Sequence, residues 1–566
     1  MAKLGAVNVN RVDALAQLQE QLRALTFPFE VENAQAAQTL ARRRAQQLED
    51  LIIPRAQQLD APLLCVVGGS TGAGKSTLVN SLLGEGVVQT SAIRPTTRTP
   101  TLIYRAEDAP WFESTRVLPS FTRVRGSGAG ESAGENALRL QVNDRVPRGL
   151  ALLDAPDLDS FVDRNRALAV QLFDAADLWI FVTTAARYAD AVPWEVLREA
   201  HARSVALSIV LNRVPPGATN VVRGDFARLL ADAGLSDAPL ICVNEMPLQH
   251  DRLDPASVRT VKNWLSSLSD TAHTRAQVAK RALEGTVAEL FTDVEHLLQV
   301  LSRQTLVRTD AASVVDENQR VALRRLEQAT QNGKLLRGEV LSRWQAMLGV
   351  ADISAGIDRI VTRVKSRVSG FFTGRNARAD EVKEILGSNL STIICDELAR
   401  AVQHARTTWR ANPAMRPFEA QVVPLSQEKL QHEARAAVKN WERAVVDLIK
   451  RQGANKKTSA RMLAFGVNLL GLALIIVLFA STGGLTGAEV TVAGATGIVA
   501  QRVLEAVFGD AAVAAMTQRA HGALKTQMSR ALERAMEPLT DALPDLVSSS
   551  EIQQALARAR REWTEG

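Results

Sequence analysis

Apolar residues recur at helical spacing from the start of the chain. Leu15, Leu18, Leu22 and Leu25 form one stripe within residues 11–25, and a second helical stretch covers 31–52. Phe27-Pro28-Phe29 breaks the two apart, and Pro54 ends the second. From Pro62 the pattern changes. Short, continuous apolar runs at 63–67, 150–153, 178–182, 205–211 and 240–243 alternate with helical stretches as far as about Leu268, the order expected of a doubly wound, mostly parallel sheet. Beyond Asp270 the strand pattern stops. Leu283, Val287, Leu290, Val294, Leu297 and Leu301 then share one helical face, Pro413, Pro417 and Pro424 interrupt the pattern, and a further helix runs from Ser426 towards Lys450. Met516 to Met536 and Ile552 to Trp563 are helical again, and none of the leucine stripes needs more than helix packing to explain it.

One stretch departs from amphipathic patterning altogether. Met462 to Ala480 contains no charged residue, which reads as a segment that enters a bilayer. Lys456, Lys457 and Arg461 precede it and put that end on the cytosolic side. A Gly-rich turn follows at 481–487, then small apolar residues to Ala500. Two topologies are open: a hairpin that returns the chain to the cytosol, and a single span that leaves 501–566 outside. The expected organisation is therefore N-terminal helices at 1–61, an α/β domain at 62–270, a helical trunk at 271–455, the membrane segment at 456–508 and returning C-terminal helices at 509–566.

Composition narrows the setting. The three cysteines, Cys65, Cys242 and Cys395, are too few for a disulfide framework or a zinc cluster, and Met1 to Asn10 lacks the apolar core of a secretory signal, so a reducing cytosolic site for the α/β domain is expected. The net charge of +6 is spread along the chain without basic tracts interleaved with aromatics. That argues against nucleic acid as a partner and suits an anionic lipid bilayer.

The chemistry is concentrated after the first apolar run. Gly69, Ser70, Thr71, Gly72, Ala73, Gly74, Lys75 and Ser76, followed by Thr77, form a phosphate-binding loop between a strand and a helix marked by Leu78, Leu82 and Leu83. The glycines let backbone N–H groups close around the α- and β-phosphates, where a row of Cβ atoms would intrude. Lys75 would reach the β- and γ-phosphates, the Ser76 hydroxyl would ligate Mg²⁺, and the helix N-terminus would face the anion. Thr97, in Arg94-Pro95-Thr96-Thr97-Arg98, stands where a switch threonine would join Ser76 on the metal when a γ-phosphate is present. Asp154 ends an apolar strand and would hold Mg²⁺ through water, and Asn212 with Arg213 ends a later strand where the base would be read.

Together these motifs resemble the series found in TRAFAC GTPases, over roughly Pro62 to Leu268. The resemblance implies GTP and GDP as ligands, with Lys75, Ser76, Thr97 and Asp154 carrying catalysis. Two positions depart from it. Asp157 stands where the family's third motif has glycine, so its carboxylate must turn away from a γ-phosphate. Pro215 replaces the aspartate that reads guanine, which weakens guanine selectivity and leaves ATP open. Leu158 follows where some GTPases have a water-orienting glutamine, so the group that completes catalysis would come from the loop backbone, from Thr71 or Gly72, or from a partner.

The order of helices, GTPase domain with a long insertion between Thr97 and Asp154, helical region, membrane segment and returning helices looks like the bacterial dynamin-like GTPases. Residues 481–489 resemble predicted membrane GTPases of actinobacteria. This implies a membrane-anchored GTPase coupled to dimerisation and membrane remodelling, associating with itself or with a dynamin-like partner across the nucleotide face. A nucleotide-bound regulatory or scaffold subunit of such a partner, and a P-loop ATPase, are the alternatives.

Overall fold

A computed structural model describes residues 9–88, 99–125, 137–158, 163–331, 334–336, 339–348, 375–453, 462, 465–480 and 490–565. The chain forms two compact units. The first comprises 1–27, 31–303 and 546–566, the second 28–30 and 304–545.

Eight strands build the sheet of the first unit: β1 (Leu63–Gly69), β2 (Thr101–Tyr104), β3 (Thr122–Arg125), β4 (Ala137–Val142), β5 (Leu150–Asp154), β6 (Leu178–Thr184), β7 (Ala206–Val214) and β8 (Leu240–Asn244). Their spatial order is β3-β4-β2-β5-β1-β6-β7-β8. All neighbouring pairs are parallel except β2 with β5. The continuous apolar runs follow from burial on both faces. Along β1, Leu64 and Val66 enter one core with Phe173, Trp179 and Phe181, while Leu63, Cys65 and Val67 enter the other with Leu78, Leu82, Ile180 and Val182. Strands β2, β3 and β4 occupy the long insertion and were not marked by apolar runs. β3, Thr-Arg-Val-Arg, is exposed or half-buried throughout, so it carries no hydrophobic pattern to find.

The same unit holds a helical layer. Helices Val9–Ala24 and Ala34–Gln47 share a core with Leu283, Val287, Leu290, Val294, Leu297 and Leu301 of the helix Ala272–Gln331, and with Ile552, Leu556 and Ala559 of the last helix, Ser549–Glu565. Arg11 caps that last helix by donating to the carbonyls of Glu562 (3.2 Å) and Trp563 (3.0 Å).

In the second unit, Arg375–Ala411, Gln427–Gln452 and Asp510–Asp541 are long helices that pack against one another. Trp441 Nε1 donates to Ala520 O at 2.9 Å, and Trp409 Nε1 to Ala311 O at 3.2 Å, so both indoles are buried without losing their hydrogen bonds.

The uncharged run expected to enter a bilayer falls in this unit. Among the described residues, no helix is long and apolar enough to cross a membrane. Gly466, with φ 79°, stands just before a helix of only 14 residues, Val467–Ala480. That helix is about 21 Å long, short of a hydrocarbon core of about 30 Å. Its residues Leu469 to Phe479 are buried against Arg375–Ala411, Gln427–Gln452, Asp510–Asp541 and the following helix Val490–Phe508. Within the run, Val467–Ala480 is here a core helix of this unit, paired with Val490–Phe508. The Gly-rich stretch 481–489 lies outside the described residues.

Candidate functional site

The phosphate-binding loop joins β1 to the helix Lys75–Leu83. Its path needs glycine at two places. A Cβ on Gly69 would fall 1.9 Å from Val182 O of β6, and one on Gly74, where φ is 91°, would fall 2.6 Å from the Asn212 amide nitrogen. That amide belongs to the end of β7 and donates to Ala73 O at 2.8 Å, while its oxygen accepts from Arg213 N at 2.9 Å. Asn212 therefore ties the end of β7 to the loop. Gly72 also has positive φ, the Thr71 carbonyl accepts from Arg187 at 3.2 Å, and Thr77 lies in the first turn of the helix.

Ser76 and Asp154 come together. Ser76 Oγ donates to Asp154 Oδ2 at 2.8 Å. Asp154 is wholly buried, and burial pushes its carboxyl up to about 6 despite the Ser76 hydrogen bond and the nearby Lys75 charge. Its other oxygen, Oδ1, has no hydrogen-bond partner among the described residues, nor do the buried hydroxyls of Ser70 and Thr183. Unpaired buried oxygens are costly unless a ligand completes them. Mg²⁺ fits this donor set: the Ser76 hydroxyl donates its hydrogen bond to Asp154 and keeps lone pairs for a hard cation, and Asp154 Oδ1 has no hydrogen-bond partner among the described residues. Among the described residues no group of three or more His, Cys, Asp and Glu side chains could hold a metal. The remaining ligands would be phosphate oxygens and water, as is usual for Mg²⁺.

Lys75 makes a contact that the sequence reading missed. Its ammonium donates to Gly69 O at 3.2 Å and Ser70 O at 3.0 Å, and is ion-paired with Asp157. The Asp157 carboxylate was expected to turn away from the place of a γ-phosphate; instead it lies on the group that would bind one. The only signal in the sequence was an acid where glycine is usual. Leu158, next in the chain, is held by its N–H to Gly69 O at 3.3 Å and has its side chain in the core, so it orients no water.

Near the end of β7, Thr71, Gly72, Arg187, Arg213, Pro215, Val222 and Glu245 line a cavity of about 750 Å³. Glu245 follows β8, and its N–H donates to Val214 O at 2.8 Å, beside the segment where Pro215 removes a carboxylate. Sequence reasoning missed this residue too, because only the β7–β8 pairing brings it to the cavity that Arg213 and Pro215 line. Thr97, with Arg94 and Arg98, lies outside the described residues.

Residues 65–212 match the Dynamin family. No curated protein matches the chain significantly. Among solved structures, two described as an oligomerised bacterial dynamin pair that senses and tethers membranes over long range align at 10% identity. Each alignment covers 98% of this chain and 94% of the other, with TM-scores of 0.39 and 0.42. Toc33 of Arabidopsis thaliana, in complex with Mg²⁺ and GMPPNP, aligns at 15% identity over 45% of this chain and 96% of its own, with a TM-score of 0.23. At such scores these three likenesses carry no argument about this chain. The loop and the Ser76–Asp154 pair lie within the matched stretch, so residues 65–212 are dynamin-like.

Proposed function

We propose that the chain is a GTPase that hydrolyses GTP to GDP and phosphate, with turnover completed by association with a second copy or with a dynamin-like partner across the nucleotide face. The observation that carries this is that Ser76 and Lys75 of the loop lie with Asp154 at the end of β5, where Asp154 Oδ1 and the buried hydroxyls of Ser70 and Thr183 have no hydrogen-bond partner among the described residues. Backbone N–H groups of residues 69–77 would cradle the phosphates, and Lys75 would neutralise charge at the terminal ones. Ser76, Asp154 and Thr97 would hold Mg²⁺, which when bound supplies positive charge to the phosphoryl oxygens. With Leu158 locked in the core, the water-orienting group would come from the loop backbone, from Thr71 or Gly72, or from a partner, and the reading takes the partner.

For the base, the stem of Arg213 would lie against the purine, and Glu245 would supply the carboxylate that Pro215 lacks, accepting from guanine N1–H and the N2 amine. Contact with a lipid surface is part of the proposal, but no span is. Its support is the cationic Lys456, Lys457 and Arg461 next to the uncharged run. A slow, nucleotide-holding regulatory subunit is the second reading, favoured by the Lys75–Asp157 pair.

Competition of GTP and ATP for the purified chain tests the base assignment. GTP should win, and Glu245→Gln should weaken GTP about tenfold or more while leaving ATP unchanged. Equal affinity for the two nucleotides in the wild type would favour an ATPase. Steady-state turnover, alone and with anionic vesicles or an added dynamin-like partner, separates the first reading from the second.

A further inference from the structure

The Lys75 ammonium has three hydrogens to donate, and the chain itself accepts all three, at Gly69 O, Ser70 O and Asp157 Oδ1. The pair with Asp157 is largely shielded from water, with the side chains 5% and 14% exposed. In such surroundings charges interact more strongly than at the surface, and an added like charge is strongly resisted. The backbone on either side of the carboxylate is anchored. Three residues before it, Asp154 is fixed in β5 and bonded to Ser76; immediately after it, Leu158 is fixed by its N–H to Gly69 O and by its buried side chain. Asp157 thus spans a short, anchored bridge over the phosphate-binding loop.

A nucleotide in this loop would bring its β-phosphate to the helix N-terminus and to Lys75, and a terminal γ-phosphate would come next to the same ammonium. Asp157 already supplies a negative oxygen there. We propose that Asp157 is an internal substitute for the terminal phosphate, a specificity-determining residue that makes this site prefer a nucleoside diphosphate to the triphosphate. The inference rests on the nucleotide-site reading above and adds to it the resting state. The diphosphate leaves the Lys75–Asp157 pair in place, whereas the triphosphate must separate the pair or sit against a second anion. Release of the carboxylate from Lys75 is then the event that admits a triphosphate, and any partner that draws Asp157 away would load the site.

Equilibrium titration of the full chain with Mg²⁺, comparing GDP with a non-hydrolysable GTP analogue, tests this. The wild type should bind GDP about tenfold or more tighter than the analogue. Asp157→Asn, which keeps the shape and removes the charge, should strengthen analogue binding about tenfold while changing GDP affinity less than about threefold. Asp157→Gly should do the same and guards against a folding defect in the first variant, with thermal melts run on both. Equal affinity of the wild type for the two nucleotides would overturn the inference, as would an equal gain for both in the variants, since that would be relief of a charged pair without phosphate discrimination. Absence of all guanine-nucleotide binding in wild type and variants alike would instead overturn the nucleotide reading itself.

Discussion

Lys75 and Ser76 act on the same few ångströms by different means, and their substitutions should separate. Lys75→Ala removes the charge meant for the terminal phosphates and leaves Asp157 buried without its partner. Ser76→Ala removes one metal ligand and also the hydrogen bond to Asp154. Each should lower turnover roughly a hundredfold or more, as expected when a preorganised charge or metal contact is lost. The second unit should melt as in the wild type. Unchanged affinity and rate in both variants would show that nucleotide chemistry does not occur at this loop. The loop itself was legible because few other jobs demand small residues followed by lysine and serine between a strand and a helix. The partner of Lys75 was not legible. An acid at position 157 can point several ways, and only the anchoring of Asp154 and Leu158 on either side selects one. Glu245 was illegible for a similar reason, since its place depends on the pairing of β7 with β8.

At the scale of elements, a buried charge network connects pieces far apart in sequence. Asp174, at the end of helix Asp163–Asp174, takes Arg43 of helix Ala34–Gln47 at 2.6 and 2.8 Å and lies beside the fully buried Arg203. Arg44 reaches Asp293 of the long helix at 2.6 Å and Glu289 at 3.0 Å. Burial alone would push the Asp174 carboxyl up, but Arg43, with Arg203 and Arg44 behind it, outweighs that and holds it below the usual carboxylate range. A depressed carboxyl contributes stability that is complete above the unfolded value of about 3.9 and is lost as pH falls through the folded one. Thermal melts at falling pH should therefore show the first unit losing stability below about pH 4. Asp174→Asn should cost about 3–5 kcal/mol at neutral pH, because the buried Arg203 would lose the carboxylate it pairs with and Arg43 would keep only Glu199. It should also flatten the acid limb, and an acid limb unchanged in the variant would exclude Asp174 as its source. The strands of the sheet core could be read from apolar runs because both faces are covered. The insertion strands could not, since they are short and, in β3, alternate threonine and valine with arginine.

Over the whole molecule, the uncharged run was read as a membrane segment because a core helix surrounded by other helices has the same composition as one surrounded by lipid. Length and neighbours distinguish them, and neither is visible in the run itself. The helix Val467–Ala480 starts only after Gly466, and its side chains from Leu469 to Phe479 fill the middle of the second unit, with the Phe479 ring 5.7 Å from Trp441. The packing is also close where it meets Val490–Phe508, since a Cβ on Gly497 would stand 2.4 Å from that of Ala480. If these contacts hold the unit together, charge in the middle of the helix must be damaging in plain aqueous solution with no lipid present. Leu474→Asp should lose the cooperative unfolding of the second unit, an effect of several kcal/mol, because a buried carboxylate without a partner either pays for desolvation or takes up a proton. Gly497→Val should do less, about 1–3 kcal/mol, by forcing the helix pair apart. Differential scanning calorimetry of the full chain, which resolves two units if they melt separately, reads both. An undisturbed second transition in Leu474→Asp would mean that this helix is not part of the core in solution, and the membrane would again be the place to look for its partner.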